Sequence, residues 1–337
     1  MTRNKTLGDL GEAGIIRLME ANAPKELPSR LKKGIGDDCA VLETAGDSVL
    51  LVTTDTLIEG IHFTAHTMPP EALGWKALAA NISDIAAMGG APHTAFLSIG
   101  LKSGTKVSFL ESFMAGFKTL ADKTGIVLAG GDTVESPSSA VVTITLLGDC
   151  LKERVVYRSG ARVGDDVWVT GPLGNAAAGL FLLQNQGLDV SPEYESLVQA
   201  HQKPMPPLKL GKALAQSGLV HAMIDISDGI AKDLGHICEQ SGVGSELQGS
   251  SIPMSSNLLK LAAETGKNPV EWALHGGEDY EMLFAASRDG RNQILSLAAR
   301  VTSRSPVRIG AIVQNDGIRL ETENGKVPVK SGGYVHF

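Results

Sequence analysis

Short runs of valine, isoleucine and leucine alternate with longer amphipathic segments along almost the whole chain. Apolar runs near 49–54, 94–101, 126–130, 140–148, 166–170, 221–225, 281–286 and 307–313 have the length and β-branched content of strands. Segments near 7–21, 71–88, 107–123, 175–186, 207–216, 229–241 and 289–300 carry the helical period. Such alternation excludes an all-α or all-β chain and calls for a mixed α/β (α+β) fold. Some helix ends are legible. Pro69, Pro70 and Glu71 open one helix, Gly89 and Gly90 close it, and Asp228 is placed to cap another. At 337 residues there is room for two domains. The polar, turn-rich stretch 149–165 divides residues 1–150 from 151–337.

The acids gather where the apolar runs end. Asp37 and Asp38 sit in GIGDDCAVL, Asp55 in VTTDTLIEGIHF, and Asp132 in VLAGGDTV. Asp225 and Asp228 flank Ser227 in MIDISDG, and Glu278 and Asp279 follow two glycines in HGGEDYEMLF. Asp84 lies three residues from Asn81 on the alanine-rich helix 71–88, on a face expected to be buried. Loops at strand ends are where open α/β sheets carry their sites. Two carboxylates about 4 Å apart repel by roughly 4 kcal/mol at an effective dielectric of 20. Convergence of several therefore requires a cation, and hard oxygen donors suit Mg²⁺. Thr53, Thr54 and Thr56 add hydroxyls beside Asp55, and His62 follows in the same loop. The glycines before Asp132 are expected at a strand end, where bare backbone can approach a phosphate. The MIDISDG junction offers carboxylates for a cation beside N–H groups for an anion. Each segment alone is also ordinary turn chemistry. Recurring at separate strand ends, they point to metal-assisted phosphate chemistry.

Other function classes fall away. A net charge of −7 and an aromatic content of 4% argue against a nucleic-acid partner. No apolar run approaches the roughly 18 residues of a membrane span, and the N-terminal stretch is not of signal type, so the cytoplasm is expected. Cys39, Cys150 and Cys238 match no zinc spacing and read as buried thiols. The P-loop, dinucleotide, zincin, nucleophile-elbow and protein-kinase motifs are all missing.

With these residues laid out, the chain resembles the thiamine-monophosphate kinase family, part of a larger AIR synthetase-like group of ATP-dependent enzymes. The resemblance runs from GIGDDCAVL through TTDTLIEGIHF, ALAANISDIAAMGGAP, GGDT and YRSGA. It continues through TGPLGNAAAGL, HQKPMPPLKLG, IDISDGIAKDLGHI and WALHGGEDYEMLF to the terminal GGYVHF. It implies an N-terminal domain whose sheet forms a barrel across a homodimer interface, and a C-terminal α/β domain. It further implies ATP-dependent phosphorylation of thiamine monophosphate to thiamine diphosphate, the last step in making that cofactor. The transfer is expected to be direct and in line, with several Mg²⁺ ions and with no covalent nucleophile or general base. Asp38, Thr53, Thr54, Asp55, Asp84, Asp132, Asp225 and Asp228 match the family's magnesium positions. Gly131, Asp132, Arg158 and Ser227 match its ATP contacts, and His62, Glu278 and Tyr334 its contacts to the thiamine substrate. Asp37, Asp279 and Glu281 are left without a role. The alternatives are another synthetase of the same group, or a non-catalytic metal or nucleotide sensor. Selenium chemistry would call for a reactive cysteine ahead of Cys39, and none is present.

Overall fold

The structure, a computed structural model, describes residues 6–24, 26–315, 317–330 and 332. Tyr334 lies outside the described residues. Helix α1 (Leu7–Asn22) leads into β1 (Leu31–Lys33), β2 (Ala40–Glu43) and β3 (Ser48–Ile58). Then follow α2 (Pro70–Ala87), β4 (Ala91–Leu101), α3 (Val107–Thr124), β5 (Val127–Glu135) and β6 (Val141–Leu151). These six strands form one sheet in the order β1-β2-β3-β6-β4-β5, antiparallel except for the parallel pair β4–β5. Its spine is the long β3–β6 ladder, running from Ser48 opposite Leu151 to Ile58 opposite Val141. One face of the sheet packs on α2. On the other, Thr54–Thr145 and Thr56–Thr143 hydroxyl rungs at 3.1 and 2.9 Å are exposed. Strand β5 is exposed along its whole length. Within one chain, then, this sheet is open and ends on an uncovered edge.

The rest of the chain adds β7 (Asp166–Val169), α4 (Asn175–Gln186), α5 (Glu195–Gln202), α6 (Leu208–Ser217) and β8 (Val220–Asp225). After these come α7 (Ile230–Ser241), β9 (Gly244–Gln248), α8 (Ser256–Thr265), α9 (Pro269–His275) and β10 (Met282–Ala286). The described chain closes with α10 (Arg291–Val301), β11 (Val307–Val313), β12 (Gly317–Thr322) and β13 (Gly325–Pro328). The second sheet has the order β13-β12-β9-β11-β7-β10-β8. Its central strands are buried on both faces. Val167, Val169, Leu283 and Ala285 join α7 in one core, while Trp168, Met282, Phe284 and Ala286 join α6 and α10 in another. Burial on both faces is why these strands read as unbroken apolar runs.

Helix α2 ties the halves together. Fifteen of its eighteen residues are buried, so it lies between the first sheet and the elements α6 and β8 rather than on a surface. Its small side chains allow close approach. A Cβ on Gly74 would lie 1.9 Å from the Phe113 carbonyl oxygen, and one on Gly116 of α3 would lie 1.8 Å from that of Glu71.

The apolar strands and amphipathic helices read from the sequence are all present, with four adjustments. Strand β5 does not stop before the glycines. It continues through Gly130, Gly131 and Asp132, paired to Phe96, Leu97 and Ser98. Asp228 is not the cap of α7: Gly229 occupies that position, and Asp233 from inside the helix accepts the N–H groups of Asp228 and Gly229 at 3.2 and 2.9 Å. Strands β1, β2, β9, β12 and β13 do not stand out in the sequence because they are six residues or fewer and lack a sustained apolar run, as in LKK and GKVP. Helices α5, α8 and α9, of ten residues or fewer, are too short to show a sustained helical period in the sequence.

Gly74→Ala or Gly116→Ala is expected to overpack the α2–α3 crossing and cost about 2 kcal/mol. Thermal melting should fall by several degrees in either variant. An unchanged midpoint would show that the crossing yields without cost.

Candidate active site

Four separate elements bring carboxylates to one place. Strand β3 presents Thr53 and Asp55 on its α2-facing side, α2 presents Asp84, the turn before β2 presents Asp38, and β8 ends on Asp225. Asp38, Asp84 and Asp225 each offer an oxygen, and the three lie within 4.8 Å of one another. Thr53 Oγ1 donates to Asp84 Oδ2 at 2.5 Å. Arg158 donates from Nη2 and Nε to Asp38 Oδ1 at 2.6 and 3.1 Å, while its backbone N–H reaches Asp37 Oδ1 at 3.2 Å. The other oxygens, Asp38 Oδ2 and Asp225 Oδ2, are buried with no hydrogen-bond partner among the described residues.

Burial, reinforced by the neighbouring acids, disfavours the charged forms. It pushes the Asp225 carboxyl up to about 8 and, against the pull of Arg158, Asp38 up to about 6. Asp84 is raised well above the usual carboxylate range by burial and then by Asp55, Asp225 and Asp38, and burial raises Asp55 as well. Buried oxygens without a protein partner on converging acids suit a cation. The donors are all carboxylate and hydroxyl oxygens, a set that fits a hard ion such as Mg²⁺.

Asp55, Asp84 and Asp225 line a cleft of about 330 Å³ shared with Ser227, Asp228, His62, Glu278 and Tyr280. His62 Nδ1 accepts from the Ile58 N–H at 2.9 Å, so a neutral ring carries its proton on Nε2. Asp228 pairs with Lys232 at 2.7 Å, and Lys232 also reaches Glu12 of α1 at 2.9 Å. The GGEDYE loop is hydrogen-bonded onto the IDISDG loop. Glu278 N–H meets the Ser227 carbonyl at 2.7 Å, and Tyr280 N–H meets that of Ile226 at 2.8 Å. To make this contact Glu278 and Tyr280 take left-handed φ values of 68° and 51°. A Cβ on Gly277 would stand 2.4 Å from the Ser227 carbonyl oxygen, so glycine is required there.

The three acids without a role now have structural partners. Asp279 accepts from the N–H groups of Gly174 and Ala176 at 2.6 and 3.1 Å and caps α4. Glu281 accepts from Thr170 at 2.6 Å and Arg304 at 2.8 Å. Asp37 holds the Arg158 backbone and lies 3.4 Å from Lys33. Glu278 points the other way, into the cleft. Burial alone would raise its carboxyl, but Lys76 at 2.6 Å and His201 at 3.3 Å outweigh it and hold it down at about 2.

Not every expected residue converges. Thr54 is on the opposite, exposed face of β3 from Thr53, as strand alternation requires. Gly131 and Asp132 lie on the exposed edge strand β5, and Asp132 lines a separate shallow depression with Ser98 and Thr143. Lys76, His201 and Asp233 are not among the residues that the sequence assigns to the site. The one signal is a lysine inside the apolar stretch 72–80 of α2.

The N-terminal domain model of AIR synthase related proteins matches residues 36–150, and the C-terminal domain model of the same proteins matches residues 162–323. The thiamine-monophosphate kinase of Aquifex aeolicus is 35% identical over 98% of this chain and 99% of its own length. That of Salmonella typhimurium is 39% identical over 91% of this chain and 92% of its own. The chain belongs to the thiamine-monophosphate kinase family. The solved structure of AaThiL complexed with AMPPCP and TMP has a TM-score of 0.87 and 35% identity, covering 99% of this chain and 100% of that one. Hydrogenase maturation protein HypE shares the fold at 19% identity and a TM-score of 0.69, over 89% of this chain and 94% of its own.

The raised carboxyl of Asp225 has a consequence for stability. From about pH 4 to about pH 8 the folded chain holds a proton that the unfolded chain releases, so metal-free stability falls as pH rises through that window. Asp225→Asn is expected to flatten this fall and to melt above the unsubstituted protein at pH 8 when no divalent cation is present. Melting curves between pH 5 and 8, with and without Mg²⁺, measure it. Mg²⁺ should raise the midpoint of the unsubstituted protein most at the alkaline end.

Proposed function

We propose that this chain transfers the γ-phosphoryl group of ATP to the terminal phosphate of thiamine monophosphate, giving thiamine diphosphate and ADP. The observation that carries this reading is the convergence of Asp38, Asp84 and Asp225, of which Asp84 and Asp225 line one cleft with His62 and Glu278, in a chain of this family. Both reactants are anions, so the obstacle is electrostatic. Asp38, Thr53, Asp55, Asp84, Asp225 and Asp228 would hold Mg²⁺ ions. Bound there, the ions would neutralise phosphate oxygens and align the two groups. Arg158, fixed by Asp37 and Asp38, offers a guanidinium for phosphate oxygens, and Ser227 lines the same cleft as Asp225 and Asp228.

The nucleophile is an oxygen of the substrate's own phosphate, already ionised near neutral pH. A new O–P bond forms to the γ-phosphorus as its bond to the β-bridging oxygen breaks, and ADP leaves. No side chain has to take a proton or carry the phosphoryl group. His62 and Glu278 we assign to the thiamine portion, and Tyr334 stays with them as a residue to test.

We place a second copy of the chain along β5 and the exposed face of the first sheet, closing a barrel between the two. This arrangement gives Thr54, Gly131 and Asp132 a purpose that a single chain does not. It also covers Val127, Leu128 and Val134, which are otherwise exposed on an edge strand. Among the described residues no helix is long and apolar enough to cross a membrane. We assign the enzyme to the cytoplasm.

A coupled ADP-release assay across thiamine, thiamine monophosphate and thiamine diphosphate tests the reaction. Activity with the monophosphate alone is expected, and ADP release that ignores all three would overturn it. Asp55→Asn and Asp225→Asn are expected to lower turnover about 100-fold with their folds intact. Light scattering should give about twice the chain mass of 35.3 kDa, and Val134→Asp should shift the protein towards monomer.

A further inference from the structure

Lys76 is 1% exposed in the middle of α2, a setting in which an ammonium is costly unless paired. Its Nζ stands 2.6 Å from Glu278 Oε2 and 3.4 Å from His201 Nδ1. His201 is equally buried, and its Nδ1 lies 3.3 Å from that same carboxylate oxygen. The three groups come from α2, from α5 and from the loop after α9, so the triad joins parts of the chain far apart in sequence. Fold stability does not account for it. Apolar residues of similar size generally stabilise such a site as well or better. Nor is the setting relaxed, because Glu278 meets Lys76 and His201 from a left-handed backbone that a non-glycine residue disfavours. Its side chain keeps 25% exposure, in the cleft that it lines. Strain and a buried cation kept together beside a cleft are typical of a group held for a ligand.

We propose that Lys76 and His201 are positioning residues for recognition of the organic part of the substrate. They grip Oε2 of Glu278 from behind and so fix the direction in which the carboxylate meets an N–H donor or a cationic ring in the cleft. The premise is that Glu278 contacts the thiamine portion, as assigned above. His201 thereby gives a purpose to the HQKPMP segment that opens on it. Neither residue touches substrate. Both act through Glu278.

The test compares Glu278→Gln, Lys76→Met, His201→Leu, His201→Gln and the double variant Lys76→Met/Glu278→Gln in the full chain, each checked by thermal melting. Lys76→Met and His201→Leu are expected to raise KM for thiamine monophosphate about tenfold or more, the loss of a buried hydrogen bond to a charged group. KM for ATP should stay within about threefold of the unsubstituted value, while His201→Gln, which keeps a donor, should recover much of the loss. The double variant should be no worse than Glu278→Gln alone, because Lys76 has nothing to position once the carboxylate is gone. If Glu278→Gln itself leaves KM for thiamine monophosphate unchanged, the assignment of Glu278 falls. If it raises KM while folded Lys76→Met or His201→Leu does not, or if the double variant is additive, the positioning role alone is overturned. Should Lys76→Met fail to fold, the His201 pair decides on the same terms.

Discussion

The mutual repulsion of buried carboxylates is the constraint around which this protein is arranged. Asp38, Asp84 and Asp225 place oxygens within 4.8 Å of one another, in surroundings that disfavour charge. Burial, with the neighbouring acids, pushes Asp225 and Asp38 up to about 8 and about 6, so protons relieve part of the repulsion. Groups that repel would drift apart on flexible supports. Here they hang from a long strand ladder, a buried helix and the end of a strand packed on both faces, so the cluster keeps its shape and the cost is carried by the cores around it.

Two kinds of acid can now be told apart by what their oxygens face. Asp233 and Asp279 accept backbone N–H groups and fix loops and helix starts, and Glu281 is tied to Thr170 and Arg304. Asp38 and Asp225 each keep an oxygen with no protein partner among the described residues, and Asp84 has the Thr53 hydroxyl. The first kind builds the frame, and the second is the kind assigned above to metal binding. The IDISDG and GGEDYE segments show both kinds at work in one pair of loops. Backbone hydrogen bonds between them offset the left-handed turns at Glu278 and Tyr280.

How much of this the chain displays in its order of residues depends on the element. The strands at the heart of the second sheet are apolar on both sides and stand out, as do α2, α3 and α7 with their sustained apolar periods. Strands with one exposed face, such as GIRLET, carry no such run, because solvent on one side relaxes the demand for apolar residues. In the site, Asp84 is conspicuous because a carboxylate in a buried alanine-rich helix needs a partner. Thr53 and Thr54 look alike as letters, yet alternation along β3 sends one inward and the other out. The Lys76–His201–Glu278 contact was beyond reach, since only the packing of α2 against α5 brings residues so distant in sequence together. Gly131 and Asp132 are a different case. Their edge strand faces solvent in one chain, and local pattern does not record what covers it.

Helix α2 carries both Lys76, which backs Glu278, and Asp84, which belongs to the carboxylate cluster. Eight residues separate them, about 12 Å along a helix axis. Because the helix is buried at fifteen of eighteen positions and locked by glycine contacts to α3, that interval is rigid. On the assignments proposed above it would act as a gauge, setting how far a molecule held at one end by its organic part must extend before its charged tail reaches the other.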